Sequence, residues 1–522
     1  MSKGKKKAFT LIGLCALMAV AIGLYVWLPK GESEDTEDAD TSEGTVQVAK
    51  INKDDICAVT IAGSGREEIS LVKQGEEWKL SDLPEAAVLS ETVEGMFTNV
   101  NPVMATKALG TGESSEYGTE VAELSDYGLD EPALSVTLKM SDGKEHAFTF
   151  GGEVPTTGGR YGLYEGSGQV YAFAAAIYNA FDVEKNSLIE KEEIADINED
   201  YLTSISVRAD GKKDFYAEIV PDDKKVDAYT NWVISKPYKK PLAGSSTDDW
   251  SKLQGFFTSV RFDELVEYDC KDFGKYGLDK PLATVEVHYF ETKDGYVAPE
   301  ETAAPNDGGV SRSNTNTNKA NTVPDEYKDK KSYELLFGTT DEEGNPYVCF
   351  KGSRQVYTMA AASADNMLDV DAYTYMDHCV YSTLATDING YDVTFADGRK
   401  MSVTRTAKKG EDGKDQNVWT LDGRTVPEDQ QEEFLSPYSK MFLLEYTSEA
   451  KDDVKAESSK PVLSVVFHEE GRDVAVKYLP YDGTNFYRVD KDGMDYFLAD
   501  KRSVDAVITA FESLSELSQS IE

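Results

Sequence analysis

Histidine and cysteine are the side chains of this chain best suited to binding a metal ion or attacking a substrate, and both are scarce. The histidines are His146, His288, His378 and His468, and the cysteines are Cys15, Cys57, Cys270, Cys349 and Cys379. No two cysteines have the C-x-x-C spacing that is typical of zinc sites. Cys379 follows His378, but neighbouring residues of a strand point to opposite faces, which disfavours a nucleophile pair. We therefore expect no metal and no cofactor.

The pairing of the cysteines is left open by their positions. The four thiols beyond Cys15 allow two disulfides by three connectivities, among which the sequence does not choose. Cys349 lies in the alternating run PYVCF, which predicts a buried thiol at that position.

Other catalytic patterns are missing or incomplete. The sequence contains no G-x-S-x-G, no P-loop and no H-E-x-x-H motif. Two Ser-x-x-Lys pairs, at 70–73 and 448–451, lack the accompanying K-T-G motif. Residues 182–193 place carboxylates at several ligand positions of a calcium loop, but Ser187 stands where that loop needs glycine. We predict that this segment is a charged helix linking two domains, and that the chain is not an enzyme.

The strongest pattern is a repetition of short motifs in a fixed order. YGLDEP at 127–132 recurs as YGLDKP at 276–281, and a strand-like run with a tryptophan precedes each, at Trp78 and Trp232. A fixed order at matched spacing is typical of tandem structural units. The candidate residues of the two copies are Tyr127, Gly128, Leu129, Asp130, Tyr276, Gly277, Leu278 and Asp279. They are interpreted as a structural corner, in which glycine supplies an unusual backbone angle and proline fixes entry to a strand, or else as a partner contact.

A third, degenerate copy follows the first two. Trp419 corresponds to the earlier tryptophans, Pro461 to the prolines after the YGLD motifs, and DYFLA, with Tyr496 and Phe497, to the closing strand. The YGLD motif itself is replaced at 456–459. The pattern therefore predicts two or three units.

The order of these motifs resembles a known family. YGLD-x-P, an alternating strand, a turn at Asp142 and Gly143, a strand ending in glycine and a closing VY strand are similar to DUF4340 proteins, which are bacterial, membrane-anchored and without an assigned activity. The resemblance covers residues 49–375 and, more loosely, 380–515. It supplies no catalytic residues. Members are often encoded beside ABC-type export components, so the resemblance implies subunits of an ABC-type transporter as partners.

The elements of one copy can be read from periodicity. Residues 56–61, residues 69–72 and the run around Trp78 predict a three-stranded meander, and residues 89–100 predict a helix. A hairpin at 134–150 and two further strands follow, and the tryptophans are expected in the cores. We predict an α+β fold, with an N-terminal transmembrane helix followed by two or three tandem units of mainly antiparallel sheet with helices packed on one face.

An uncharged apolar run at residues 8–28 is preceded by lysines and followed by an acidic stretch. As a helix rising ~1.5 Å per residue it is long enough to cross a hydrocarbon core of about 30 Å. The lysines favour a cytoplasmic N-terminus, so we expect a single-pass cell-membrane protein with its bulk outside the cytoplasm. The net charge of −41 argues against nucleic acid as a partner.

The predicted organisation has six parts. They are a basic cytoplasmic N-terminus (1–7), a transmembrane anchor (8–28), an acidic disordered linker (29–48), and repeat units at 49–190, 191–375 with a disordered insert at 291–330, and 376–522.

Three functions are weighed. The first is a non-catalytic extracytoplasmic binding or scaffold protein, accessory to an ABC-type export or gliding-like transport system. The second is a binder of an envelope glycan or other ligand, with strand tyrosines such as Tyr161, Tyr164, Tyr347 and Tyr487 as exposed platforms. The third is an envelope hydrolase with an unrecognised site. The absence of recognised catalytic motifs from the sequence favours the first.

Overall fold

The computed structural model describes residues 45–109, 123–167, 169–194, 196–221, 224, 230–244, 248–297, 319–409, 415–427, 430–451, 458–481 and 485–517. The strands of these residues form three nine-stranded sheets, and the sheets are mainly antiparallel. Mainly antiparallel sheet accompanied by helices was predicted, and that part of the prediction is confirmed. The predicted N-terminus (1–7) and anchor (8–28) lie outside the described residues.

Among the residues with described coordinates, no helix has both the length and the apolar character needed to cross a membrane.

The first compact unit of the chain comprises residues up to 84 and residues 90–183, and it contains the first sheet. Its strands are β1 (Val46–Ala49), β2 (Ile56–Ala62), β3 (Ile69–Gln74), β4 (Glu77–Leu80), β5 (Val103–Leu109), β6 (Leu134–Met140), β7 (Glu145–Glu153), β8 (Arg160–Tyr164) and β9 (Val170–Phe173). Its helices are α1 (Ser90–Met96) and α2 (Ala175–Phe181). The predicted meander is confirmed, because β2, β3 and β4 are neighbours in the sheet.

The second compact unit comprises residues 85–89 and the chain from 184 onward, and it contains the second and third sheets. The second sheet consists of β10 (Leu202–Ala209), β11 (Phe215–Ile219), β12 (Trp232–Lys236), β13 (Leu242–Ala243), β14 (Leu265–Glu267), β15 (Ala283–Thr292), β16 (Lys328–Thr340), β17 (Pro346–Phe350) and β18 (Val356–Thr358). The helices of this stretch are α3 (Asp248–Thr258), α4 (Lys319–Thr322), α5 (Ala361–Leu368) and α6 (Ala372–Tyr375).

The third sheet completes the second compact unit. It consists of β19 (Ile388–Phe395), β20 (Lys400–Lys409), β21 (Asp415–Leu421), β22 (Arg424–Thr425), β23 (Tyr446–Glu449), β24 (Leu463–Glu469), β25 (Arg472–Pro480), β26 (Phe486–Lys491) and β27 (Met494–Asp500). Two helices belong to this part of the chain, α7 (Gln431–Phe442) and α8 (Lys501–Leu517).

One order of strands recurs in all three sheets. The second sheet runs β13-β12-β11-β10-β15-β16-β17-β18-β14, and the third runs β22-β21-β20-β19-β24-β25-β26-β27-β23. The first sheet runs β4-β3-β2-β6-β7-β8-β9-β5 and adds β1 beyond β5. Eight strands therefore share one order, and the third sheet has this order although its sequence lacks the YGLD motif.

The central ladder of each sheet has the same register. Ile61 pairs with Val136 in the first sheet, Val207 with Val285 in the second, and Val393 with Val465 in the third. All six side chains are buried. Because side chains alternate along a strand, a slip of one residue would move this apolar set to solvent, so burial fixes the register.

The three tryptophans lie in equivalent strands of the three sheets, and each is buried in a similar aromatic core. Trp78, Trp232 and Trp419 lie in β4, β12 and β21 and are 1%, 7% and 2% exposed. Each ring packs on an aromatic ring from the following helical segment. The centroid distances are 5.5 Å for Trp78 and Phe97, 5.4 Å for Trp232 and Trp250, and 5.8 Å for Trp419 and Phe434. The prediction of core packing is confirmed.

The predicted charged helix at 182–193 is wrong. Only Lys185–Leu188 form a helical turn, of the 3-10 type. Leu188 and Ile189 are both buried, and Ile189 forms an isolated β-bridge with Val88. Burial of two adjacent apolar residues outweighed the charge pattern on which the prediction rested.

The predicted insert at 291–330 is wrong at both ends. The hairpin of β15 and β16 continues until Thr292 faces Lys328. Residues Ala320 and Val323, in and after α4, are buried against Phe290. The predicted linker at 29–48 is likewise too long, because its last residues belong to β1. In these segments, short apolar stretches within polar sequence pack against a sheet or pair with one of its strands.

Replacement of Trp419 by alanine should cost the third sheet about 3–5 kcal/mol of stability, because it empties a buried site that the Phe434 ring contacts. Hydrogen–deuterium exchange of β20 and β21, measured by mass spectrometry, should accelerate. The conservative variant Trp419→Phe keeps an aromatic ring and should perturb exchange much less. Equal exchange in both variants and the parent chain would contradict the core assignment.

Candidate functional site

The two YGLD motifs form the same backbone corner. Each follows a short 3-10 helix, Leu124–Tyr127 in the first copy and Phe273–Tyr276 in the second. Gly128 and Gly277 then adopt left-handed φ values of 66° and 71°. A residue with a Cβ is strained in this region, so glycine is the residue type that suits the position. The corner leads into β6 and β15, the strands of the central ladders.

Burial divides the motif into an inner part and one outer residue. Leu129 and Leu278 are buried, whereas Asp130 and Asp279 are exposed. Tyr276 is also buried. If the motif contacts a partner, the aspartates are therefore the side chains available for it, and the predicted role of the whole motif in partner contact stays a prediction.

The backbone of each corner lies directly against a glycine near the end of a neighbouring strand. A Cβ placed on Gly151, in β7, would lie 2.4 Å from the Tyr127 carbonyl oxygen. A Cβ on Gly338, in β16, would lie 2.0 Å from the Tyr276 carbonyl oxygen. Both distances are far shorter than a van der Waals contact, so only glycine fits. The strand-ending glycines that recur in the sequence are thus explained by contact with the YGLD corner.

The tyrosine of each corner packs on a tyrosine of the sheet. Tyr127 and Tyr161 have ring centroids 4.9 Å apart, and Tyr276 and Tyr347 are 4.8 Å apart. The partners lie in β8 and β17, which have the same place in the strand order. Sequence reasoning did not connect these pairs, although Tyr161 and Tyr347 each lie ten residues before the tyrosine of a VY strand.

The tyrosines suggested as exposed ligand platforms are engaged within the protein. Tyr161 and Tyr347 pack on the corner tyrosines, and Tyr164 Oη lies 2.6 Å from His146 Nδ1. The suggestion is wrong for Tyr487, which is 7% exposed and donates a hydrogen bond to Asp505. Tyr161, Tyr164 and Tyr347 are partly exposed, so for these three side chains the suggestion stays a prediction.

The second corner carries a small polar network. Tyr276 donates a hydrogen bond of 2.7 Å to Glu267 and accepts one of 2.9 Å from Lys275. Burial raises the pKa of Tyr276 above its ordinary value. A tyrosine held protonated cannot act as a general base at neutral pH.

The histidines do not converge. His288 and His468 face Ser204 and Gly390, which are equivalent positions of the central ladders in two different sheets. Within the described ranges, no three His, Cys, Asp or Glu side chains are grouped so that they could hold a metal ion. The two histidines therefore lie on separate sheets.

Cys57, Cys270 and Cys349 are free thiols. Cys270 and Cys349 are buried in one cluster with Tyr276 and Leu278. Burial raises the pKa of Cys349 to about 12, so this thiol stays protonated and is a poor nucleophile. The prediction of a buried thiol at Cys349 is confirmed.

The first Ser-x-x-Lys pair is not a catalytic pair. Ser70 Oγ lies 3.3 Å from Thr60 Oγ1, whereas Lys73 forms an ion pair of 2.9 Å with Glu94. The lysine therefore pairs with a carboxylate in this structure rather than with the serine.

Comparison with known proteins gives one family. The family model described as a domain of unknown function, DUF4340, matches residues 78–254 and 232–456. The two matches begin at Trp78 and Trp232, which hold the same position in successive sheets. No curated protein and no solved structure matches the chain.

Replacement of Gly338 by alanine should destabilise the second sheet by about 1–3 kcal/mol, because the new methyl group overlaps the Tyr276 carbonyl oxygen. Gly255, in the middle of α3, has no atom within 4 Å of an added Cβ. The same change there should stabilise the helix by about 0.5–1 kcal/mol. Denaturant unfolding measures both variants, and effects of the same sign would contradict the corner contact.

Asp473 should hold the pKa of His468 above its ordinary value of 6.5, since its carboxylate lies 2.8 Å from Nδ1 and Asp392 lies 3.3 Å from Nε2. A raised folded-state pKa gives stability that is full below the unfolded pKa and is lost as pH rises through the folded value. Asp473→Asn should therefore lower the pKa in an NMR titration of the ring.

The control for this titration is Glu470→Gln, which removes one exposed carboxylate charge two residues from His468. It should shift the pKa less than Asp473→Asn does. Equal pKa shifts in the two variants would show that the overall negative charge near His468, rather than its hydrogen bond with Asp473, raises the pKa.

Proposed function

This chain belongs to the DUF4340 family, and from that membership we propose that it is a non-catalytic binding or scaffold protein, anchored in a membrane and accessory to an ABC-type export or gliding-like transport system. In this proposal residues 8–28 form the anchor, with the N-terminus in the cytoplasm. The bulk of the chain lies on the outer side, arranged as three tandem units with helices on one face of each sheet.

The recurrence of one strand order in three sheets is the observation that carries the proposal. Repeated modules multiply a surface, and they suit contacts with a partner at several places along the chain. A catalytic site, in contrast, needs unlike groups brought together in one place. The recurrent residues of this chain instead maintain corners and cores, as Gly128, Gly277 and the tryptophans do.

Charge and exposure support a protein partner. The chain carries a net charge of −41, and Asp130 and Asp279 are the exposed residues of the two corners. Carboxylates repeated on successive sheets favour a partner with basic side chains, which they attract over roughly 10 Å at moderate ionic strength. The corner aspartates are the residues that we assign to this contact.

Photo-crosslinking of the full chain in its native membrane tests the proposal. A photoreactive amino acid in place of Asp279 should capture an ABC-type permease or ATPase subunit, identified by mass spectrometry. The same amino acid in place of Asp397, an exposed turn residue of the third sheet, which lacks the motif, should capture much less.

A truncated chain provides the second control. Deletion of residues 49–522 keeps the proposed anchor, so transporter subunits recovered with this variant would show that the sheets are not needed. Recovery of envelope glycan without any protein partner would overturn the scaffold proposal.

A further inference from the structure

A cleft lies between the second and third sheets, within the second compact unit. It encloses about 570 Å³, a volume in the range of small-ligand sites. The second sheet contributes its β10–β11 turn and the segment after β12, and the third contributes β26, β27 and the end of β23. Neither sheet forms the cleft alone.

The lining of the cleft is basic, in contrast to the chain as a whole. Four of its side chains are cationic, namely Lys213, Lys239, Lys451 and Arg488, and one is a carboxylate, Glu449. The net charge of the chain is −41, so the charge of the cleft lining has the opposite sign to that of the chain as a whole. Another cleft, of about 470 Å³, is lined by four glutamates and one lysine, Lys351, so its net charge is negative.

The single carboxylate of the basic cleft is already neutralised. Glu449 lies 3.2 Å from Lys213 Nζ and accepts a hydrogen bond of 2.5 Å from Tyr238 Oη. The Tyr238 ring is buried and packs on Phe497, with centroids 5.2 Å apart. These contacts join the two sheets at the floor of the cleft and leave it with an excess of positive charge.

Two of the lysines remain available for a ligand. The ammonium groups of Lys239 and Lys451 pair with no carboxylate among the residues that have described coordinates. Arg488 differs, because it lies 3.4 Å from the Asp495 carboxylate and is 16% exposed. An unpaired ammonium on a cleft wall is a strong donor to an oxyanion.

An aromatic ring lies beside these lysines. Tyr496 is partly exposed in the cleft, and its hydroxyl accepts a hydrogen bond of 3.2 Å from the Lys239 backbone N–H. Its ring is supported by Tyr238, at a centroid distance of 5.2 Å. A fixed, half-exposed tyrosine suits a flat, partly apolar group such as the face of a sugar ring.

From these contacts we infer that the cleft binds the end of an anionic saccharide, with the sugar ring on Tyr496 and a phosphate or carboxylate on Lys239 and Lys451. The inference does not depend on a transport partner, because the cleft is built within this chain. It differs from the tyrosine platforms suggested by the sequence, since none of those four residues lines it.

Calorimetry with the full chain in neutral detergent tests the inference. The probes are a hexose 1-phosphate, a hexuronate and the corresponding neutral hexose, and inorganic phosphate reports the contribution of the oxyanion alone. Both charged sugars should bind, and the neutral hexose should bind much more weakly. The charged sugar that binds more tightly shows whether the cleft prefers a phosphate or a carboxylate. Raising the salt concentration should weaken the charged probes.

Lysine variants locate the binding. Lys239→Gln and Lys451→Gln should each weaken the charged probes about tenfold, the order expected for loss of one charge-assisted hydrogen bond. Lys330→Gln makes the same chemical change at an exposed position on β16 and should leave affinity unchanged. Circular dichroism checks that each variant is folded.

Three results would overturn the inference. These are equal affinity for charged and neutral sugars, no binding of either charged sugar, or unchanged affinity in folded Lys239→Gln and Lys451→Gln variants. None of them bears on capture of transporter subunits by the corner aspartates, so failure of this inference and failure of the scaffold proposal are distinguishable.

Discussion

Each sheet depends on one antiparallel pair at its centre, formed by strands that lie far apart in sequence. β2 pairs with β6, β10 with β15, and β19 with β24. Between the partners, the described chain forms three more strands in the first sheet and four in each of the others, together with a helix, before it returns in register. In the first two sheets the YGLD corner lies at the point of return. The left-handed glycine, the buried leucine and the contact with a strand-ending glycine together set where the returning strand begins.

Sequence reasoning found the features whose signal is local. The alternation of apolar and polar residues identified β2, β3 and β6. The tryptophans identified the same strand in all three sheets, because the strand-like run around each tryptophan recurs together with it. It missed β1 and β5, since β5 is recognisable only by its pairing with β9 and β1 only by its pairing with β5. It failed at 182–193 because charged residues surround a buried Leu188 and Ile189. Strands that are defined by long-range pairing, and single buried residues among charged ones, produce little hydrophobic periodicity in the sequence.

The family match and the sheets divide the chain differently. The match that begins at Trp78 starts on β4 of the first sheet and ends at residue 254, in α3 of the second compact unit. The second match is displaced in the same way, from Trp232 to residue 456. The matched stretch therefore contains the corner, the strands after it and the meander of the following sheet. The third sheet, which has no following sheet with described coordinates, retains the strand order without the corner, so the order does not require the motif.

Repetition indicates where function should be sought in such a chain. Residues that recur between sheets are explained by contacts inside each sheet, as the Gly151 and Gly338 contacts of the first two sheets illustrate. Residues that do not recur are free to differ, and Lys239, Lys451 and Tyr496 belong to this class, since they come from unlike positions of two sheets. No motif links them in the sequence, because their proximity arises only when the second and third sheets pack. A site built between repeats can therefore change its chemistry without disturbing the corners on which the sheets depend.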